Sequence, residues 1–321
     1  MEDMFVIKVA EMYYKQGMSQ IQISKKLNVS GTTISRTIEK AKEQGYVQIY
    51  INYPEGYDGE YIRELEEKFH LKEAIVVCDE KNVEKKISSA AVDYIFRIMK
   101  NNITIALGRG MTLRRIVERI EDDVRLKFMK VKGVKCLPLV GNSNLSISAN
   151  KEERLAYSNF LIEEFARQFD TNSYQILAPE FVTTRELRDR LLVEPVIKDV
   201  LDLARKADVA IMSIGAMSMH NIPDEANIFK ETTFERIHNC GGIGDLFAHI
   251  YDVNGKLIYS EIEDSLIGLT LEELKKIPVR VGIVCGMEKR EAVLGALNGG
   301  YINVLITDKA IAEYLVENKE K

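Results

Sequence analysis

Residues 103–120 read ITIALGRGMTLRRIVERI. Five apolar or β-branched residues make a short buried strand, a glycine-bracketed turn follows, and a helical stretch runs over 112–120. The same order recurs along the chain. EAIVV (73–77) precedes a helical stretch over 83–100, and VKCLPLV (134–140), DVAIMSI (208–214), RVGIVC (280–285) and INVLIT (302–307) are similar strands with helical stretches nearby. YQIL (174–177) reads as a further strand. Strands that alternate with helices predict a doubly wound, mainly parallel α/β sheet covered on both faces. In such sheets ligands collect beyond the carboxyl ends of the strands, so the turn GRGMT is the first place to look for a site.

At 321 residues the chain is longer than one average domain. A hydrophobic content of 46% and a charged content of 29% describe an ordinary globular protein. The start, MEDMFVIKVAEMYY, has no basic n-region and is not read as a secretory signal. The longest weakly polar run, about 207–219, contains Asp208 and falls short of the ~20 residues of a membrane helix. A cytoplasmic protein with no membrane partner is expected. Cys78, Cys136, Cys240 and Cys285 are scattered without CxxC spacing, which favours reduced thiols over a disulfide framework or a zinc knot. No metal and no cofactor are expected. The net charge of −5 conceals a division. Residues 1–52 hold seven Lys/Arg against five Asp/Glu, and the remainder holds 37 against 44. The body is thus unsuited to nonspecific polyanion binding, whereas the N-terminal end is mildly basic.

That N-terminal end predicts three short helices. The first, residues 4–16, places Phe5, Val9, Met12 and Tyr13 on one face, and Gly17 ends it. Ser19 with Gln22 forms a capping-box pattern that opens a second helix with Ile21, Ile23 and Leu27 inward. Asn28 and Val29 turn the chain, Ser30 caps the third helix, and Ile34, Ile38 and Ala41 face the other two. This is a helix-turn-helix pattern. Gly31, Thr32 and Thr33 offer short groups at a helix start that can approach base edges and phosphates, and Arg36 can reach guanine or a phosphate. Lys25, Lys26, Lys40 and Lys42 suit backbone contacts that set register. YVQIYINY (46–53) alternates like a strand, as a wing or a cross-chain ribbon would. The expected domains are a helix-turn-helix head over 1–53, a linker over 54–69 and a body over 70–321.

In the body, Gly108 and Gly110 allow close backbone approach, Thr112 adds a hydroxyl, and the helix start presents N–H groups to an anion. Arg109 either contacts an acidic or doubly phosphorylated ligand or points to solvent. The loop LVGNSN (139–144), with Gly141 and Asn142, supplies short polar groups for hydroxyl recognition. After RVGIVC, Gly286 leads to Lys289 at a helix opening, where an anion would sit or where a lysine would simply be solvated.

Residues 10–51 resemble the DNA-binding head of the SorC-type bacterial regulators, the DeoR/CggR-like sugar-binding group. The likeness rests on A-x-x-Y-Y, G-M-S-Q, I-S-K-K-L-N-V-S, T-I-S-R and A-K-E-Q-G-Y-V-Q-I in that order. Gly31 stands where those regulators often carry a basic residue, which shifts weight onto Ser35 and Arg36. The resemblance extends over nearly the whole chain. It implies a body related in fold to glucosamine-phosphate deaminase and ribose-phosphate isomerase, an effector-binding GRGMT loop usually bearing an aromatic at position 109, a pocket carboxylate at Asp245, and a phosphate contact at Lys289. The expectation is a regulator that binds a double-stranded DNA operator as a dimer or tetramer and responds to a phosphorylated sugar. The alternatives are a sugar-phosphate isomerase or amino-sugar-phosphate deaminase, and a docking module without a small ligand. The enzyme needs a positioned acid–base pair, and Asp245 has no evident second carboxylate or histidine in these loops. The docking module leaves the glycine-rich strand ends unexplained.

Overall fold

A computed structural model describes residues 2–49, 59–78, 81–142, 156–217, 231–258 and 261–318. The chain divides into two compact units, Met1–Pro54 and Glu55–Lys321.

In the first unit, α1 (Glu2–Ala10) runs on as a π-type turn, Glu11–Lys15, and stops before Gly17, whose φ is 65°. Both bonds of the capping box that opens α2 (Gln20–Leu27) are formed: the Gln22 N–H donates to Ser19 Oγ at 3.3 Å, and the Ser19 N–H donates to Gln22 Oε1 at 2.9 Å. Asn28 takes the left-handed conformation and turns the chain into α3 (Gly31–Glu43), capped by Ser30. Val9, Met12, Ile23, Ile34 and Ile38 form the core of this unit. Two expectations fail here. Ile21 is 70% exposed, because two helical residues separate it from Ile23 by about 200°, on the opposite face. Residues 46–49 form no strand; the Val47 N–H returns to the Ala41 carbonyl, and its side chain packs on Val6, Ala10 and Ala41. The rest of the expected wing, residues 50–53, lies outside the described residues.

The second unit is a doubly wound α/β domain. Its main sheet contains β1 (Glu73–Val77), β2 (Thr104–Leu107), β3 (Lys135–Pro138), β4 (Asn172–Ser173), β5 (Val209–Ser213), β9 (Val279–Ile283) and β10 (Val304–Asp308). They run parallel in the order β1-β10-β9-β5-β2-β3-β4. A small antiparallel sheet holds β6 (Gly215–Ala216), β7 (Gly244–Leu246) and β8 (His249–Tyr251). The strand expected over 174–177 is instead the two-residue β4 just before it, and Leu177 is exposed.

Alternation along each strand sends side chains to opposite layers. Ile105, Leu107, Val209 and Ile211 meet α5 (Val83–Ile98), α6 (Met111–Glu121) and α7 (Ser158–Gln168). Ala106, Ala210 and Met212 meet the layer made by α4 (Gly59–Phe69), α8 (Pro195–Ala204), α9 (Arg290–Asn298) and α10 (Lys309–Glu317). Most of the segment expected as a linker is therefore core structure. Leu65 of α4 is fully buried, and Lys68 Nζ donates to the carbonyls of Leu315 at 2.7 Å and Asn318 at 2.5 Å, closing the end of α10. Among the described residues no helix is long and apolar enough to cross a membrane.

The path of the chain fixes where a ligand fits. From β2 it steps outward to β3 and β4, then returns to β5 beside β2 and proceeds the other way to β9 and β10. The order reverses between β2 and β5, and the loops leaving their carboxyl ends flank the resulting crevice.

Candidate functional site

The loop after β2 is built by pairing with β5. The Gly108 N–H donates to the Ile211 carbonyl at 2.9 Å, and Ser213 Oγ donates to the Arg109 carbonyl at 3.1 Å. Gly110 has φ 115°, a conformation that side-chain-bearing residues rarely adopt, and a Cβ there would sit 3.3 Å from Ser213 Oγ. Its N–H is held by the Ala156 carbonyl at 3.0 Å. The turn delivers the chain into α6 with no side-chain cap and with half-buried Thr112 in its first turn. Such a helix start favours an anion.

Arg109 does not point to solvent. Its side chain is 11% exposed, and Nε donates at 2.5 Å to Oε1 of Glu180, whose side chain is 1% exposed. Glu180 went unnoticed in the sequence. It follows Ala178 and Pro179 at the end of a short irregular stretch, 71 residues from its partner. The Glu180 N–H donates to the Asn142 carbonyl at 2.6 Å, and its carbonyl accepts the Ile267 N–H at 2.8 Å.

Gly141 and Asn142 build this wall. The Gly141 N–H donates to the Ile267 carbonyl at 2.7 Å, its own carbonyl accepts from Ser158 Oγ at 2.7 Å, and a Cβ on it would lie 2.5 Å from the Pro179 carbonyl oxygen. Asn142 Oδ1 accepts the Asn159 N–H in the first turn of α7 at 3.3 Å. Ser143 and Asn144 of the same loop lie outside the described residues, as does Ser218 after β6.

Asp245 stands on β7 opposite Gly215 of β6. Its Oδ1 accepts the Ala248 N–H at 2.8 Å. The residue keeps some exposed surface, but its carboxyl is enclosed. Burial pushes the carboxyl pKa up to about 6, opposed by the Arg109 charge and reinforced by Glu180. Arg109, Glu180 and Asp245 are thus electrostatic neighbours at the switch between β2 and β5. The hairpin bearing Asp245 is anchored by buried His249, whose Nδ1 lies 2.8 Å from Glu263 Oε1 and whose Nε2 lies 2.7 Å from the Leu269 carbonyl oxygen.

Gly286 and Lys289 lie beyond β9. The Gly286 N–H donates to Asp308 Oδ2 at 2.8 Å, and Lys289 Nζ donates to the Cys285 carbonyl at 3.2 Å. Both residues line a cleft of about 700 Å³ that also includes Cys78, Glu84 and Lys309. The Met287–Lys289 turn lies near β6, which pairs with the Asp245 strand. Neither Thr112 nor Asp245 is among the residues that line that cleft.

In the first unit, Gly31, Thr32, Thr33 and Arg36 are exposed on α3, and Ser35 and Lys40 are half-buried. Ser30 Oγ accepts the Thr33 N–H at 3.1 Å and lies 2.7 Å from the Thr33 hydroxyl, so these two hydroxyls share the cap.

Residues 58–317 match the family described as "Putative sugar-binding domain". The sorbitol operon regulator of Klebsiella pneumoniae is 27% identical over 316 residues, covering 97% of each chain. The deoxyribonucleoside regulator of Bacillus subtilis (strain 168) is 29% identical over 321 residues, again covering 97% of each. Among solved structures, the full-length sorbitol operon regulator SorC from Klebsiella pneumoniae superposes with a TM-score of 0.73 at 26% identity, covering 98% of both chains. A DeoR family transcriptional regulator from Listeria monocytogenes gives 0.68 at 26% identity over 80% of this chain and 98% of that one. With its body matched almost end to end and its likeness to SorC running through the head as well, this chain belongs to the sugar-binding-domain family of SorC-type regulators.

Proposed function

We propose that this protein is a DNA-binding transcriptional regulator of a carbohydrate-utilisation operon, and that a phosphorylated sugar bound in the body changes its affinity for the operator. The observation that carries this reading is the pairing, in one chain, of a three-helix head with exposed Thr32 and Arg36 and a body whose switch-point loop opens a helix without a side-chain cap. The phosphate sits at the start of α6, on first-turn N–H groups and the Thr112 hydroxyl, with Lys289 supplying the balancing charge. Sugar hydroxyls donate to Asp245. Gly108, Gly110 and Gly286 let the backbone approach, and Gly141 and Asn142 hold the wall. The head reads DNA through Thr32, Ser35 and Arg36, with Lys40 toward the phosphates.

One head binds DNA weakly at physiological salt. Joining heads in a dimer or tetramer makes the second contact intramolecular and raises avidity by ~10²–10⁴ where the spacing fits. The ligand acts by binding one arrangement of the assembly more tightly than another. The enzyme reading is set aside: the matched relatives are named regulators, and the second carboxylate, Glu180, is engaged by Arg109.

The test is a thermal-shift screen of the full chain against phosphorylated sugars and their unphosphorylated parents. A phosphorylated sugar raises Tm by mass action, its parent does not, and Lys289→Ala removes the shift. Equal shifts from sugar and sugar phosphate, or a shift that survives Lys289→Ala, contradict the proposal.

A further inference from the structure

Arg109 presents a puzzle of charge. A guanidinium in the middle of an anion-binding turn is suited to grip a second phosphate or a carboxylate in bidentate fashion. The structure instead turns its Nε edge to a carboxylate of the fold. Its Nε is 2.5 Å from Glu180 Oε1, and the two side chains are 11% and 1% exposed. The Glu180 backbone is fixed by its N–H and carbonyl bonds to Asn142 and Ile267, and its carboxylate is enclosed at 1% exposure. Asp245, on the strand paired with β6, adds a second carboxylate to the same neighbourhood. Among the described residues, the Arg109 guanidinium there faces the Glu180 and Asp245 carboxylates. The start of α6 has no side-chain cap, and Lys289, beyond β9, donates to the Cys285 carbonyl with its Nζ 3.9 Å from Glu288 Oε1.

We propose that Glu180 determines the charge of the ligand: by holding Arg109 inside the fold it reserves that end of the site for neutral hydroxyls, so the site takes a sugar with one phosphate and rejects one bearing a second anionic group. This rests on the effector reading above and assigns the ligand class within it. A second anion would have to displace a buried carboxylate from its guanidinium partner, which is strongly unfavourable, and would meet Asp245 as well. A neutral polyol end finds acceptors there instead.

The experiment is calorimetric titration of the full chain with matched pairs: fructose 6-phosphate against fructose 1,6-bisphosphate, and glucose 6-phosphate against both glucose 1,6-bisphosphate and 6-phosphogluconate. The wild-type chain is expected to favour the monophosphate at least tenfold in each pair it binds. Glu180→Gln, which keeps size and shape but releases Arg109, shifts that ratio at least tenfold toward the dianionic partner. The double variant Arg109→Gln/Glu180→Gln restores the monophosphate preference. A wild-type chain that binds the bisphosphate or the sugar acid as well as the monophosphate overturns the proposal, and this arm needs no variant to fold. A monophosphate affinity that depends on Lys289 beside a ratio unmoved by Glu180→Gln overturns this proposal alone. Absence of any Lys289-dependent phosphate binding overturns the effector reading, and this assignment with it.

Discussion

Replacing Asp245 with Asn should stabilise the protein at neutral pH and weaken its ligand site. The carboxyl has a folded-state pKa of about 6 against an ordinary value of 3.8, because burial penalises its charge more than Arg109 and the Ala248 N–H relieve it. The native protein therefore holds a proton that the unfolded chain releases between about pH 4 and pH 6. Through that window the contribution of Asp245 to stability falls as pH rises, and above pH 6 it is a full penalty. A difference of about two pKa units corresponds to about 3 kcal/mol. Asn keeps an Oδ1 acceptor for the Ala248 N–H and carries no charge, so Asp245→Asn should recover most of that at pH 7 and little at pH 4. For a domain of this size the gain is on the order of 6–10 °C in Tm. Calorimetric scans of both chains at pH 4.5 and pH 7.5 provide the measurement. The variant should also bind a sugar phosphate about tenfold more weakly, as expected where a carboxylate is retained for binding at the expense of stability. Melting temperatures that differ equally at both pH values, or not at all, would refute the reasoning.

Arg36→Ala should weaken operator binding by about 1–3 kcal/mol, read by fluorescence anisotropy, while sugar-phosphate titrations stay unchanged; equal operator affinity would remove Arg36 from the reading face. Gly141→Ala places a methyl 2.5 Å from the Pro179 carbonyl oxygen and should lower stability by about 1–3 kcal/mol, whereas an unchanged melt would show that the wall gives way freely. Leu65→Ala should destabilise the body by about 2–5 kcal/mol in denaturant unfolding, and a near-neutral effect would return residues 59–69 to the status of a linker.

The parts legible in the sequence were those specified by local chemistry. Ser19 and Gln22 announce α2 because the capping box needs only residues three apart, and β2, β5, β9 and β10 are apolar because both faces of their sheet are covered. The glycine turn 108–110 was visible for the same reason. Tertiary contacts were not. Arg109 read as either a ligand contact or a solvated side chain until Glu180, 71 residues away, was brought against it by the segment after β4, which is bonded to the loop after β3. Asn142 read as a hydroxyl-recognition group, and its Oδ1 also accepts the Asn159 N–H at the start of α7. The sheet β6-β7-β8 has strands of two or three residues, too short for a periodic signal, yet it carries Asp245. Residues 59–69 read as part of the linker over 54–69, although Leu65 packs into the core of the body.

The most direct test of the account is the operator affinity of the full chain with and without a saturating phosphorylated sugar, measured on wild type and on Lys289→Ala. Coupling of about 1–3 kcal/mol predicts a change of roughly 5- to 150-fold in Kd for wild type. Lys289→Ala should bind the operator as wild type does without ligand and should not respond to the sugar. An operator Kd that stays constant while the sugar phosphate is shown to be bound would contradict the central claim.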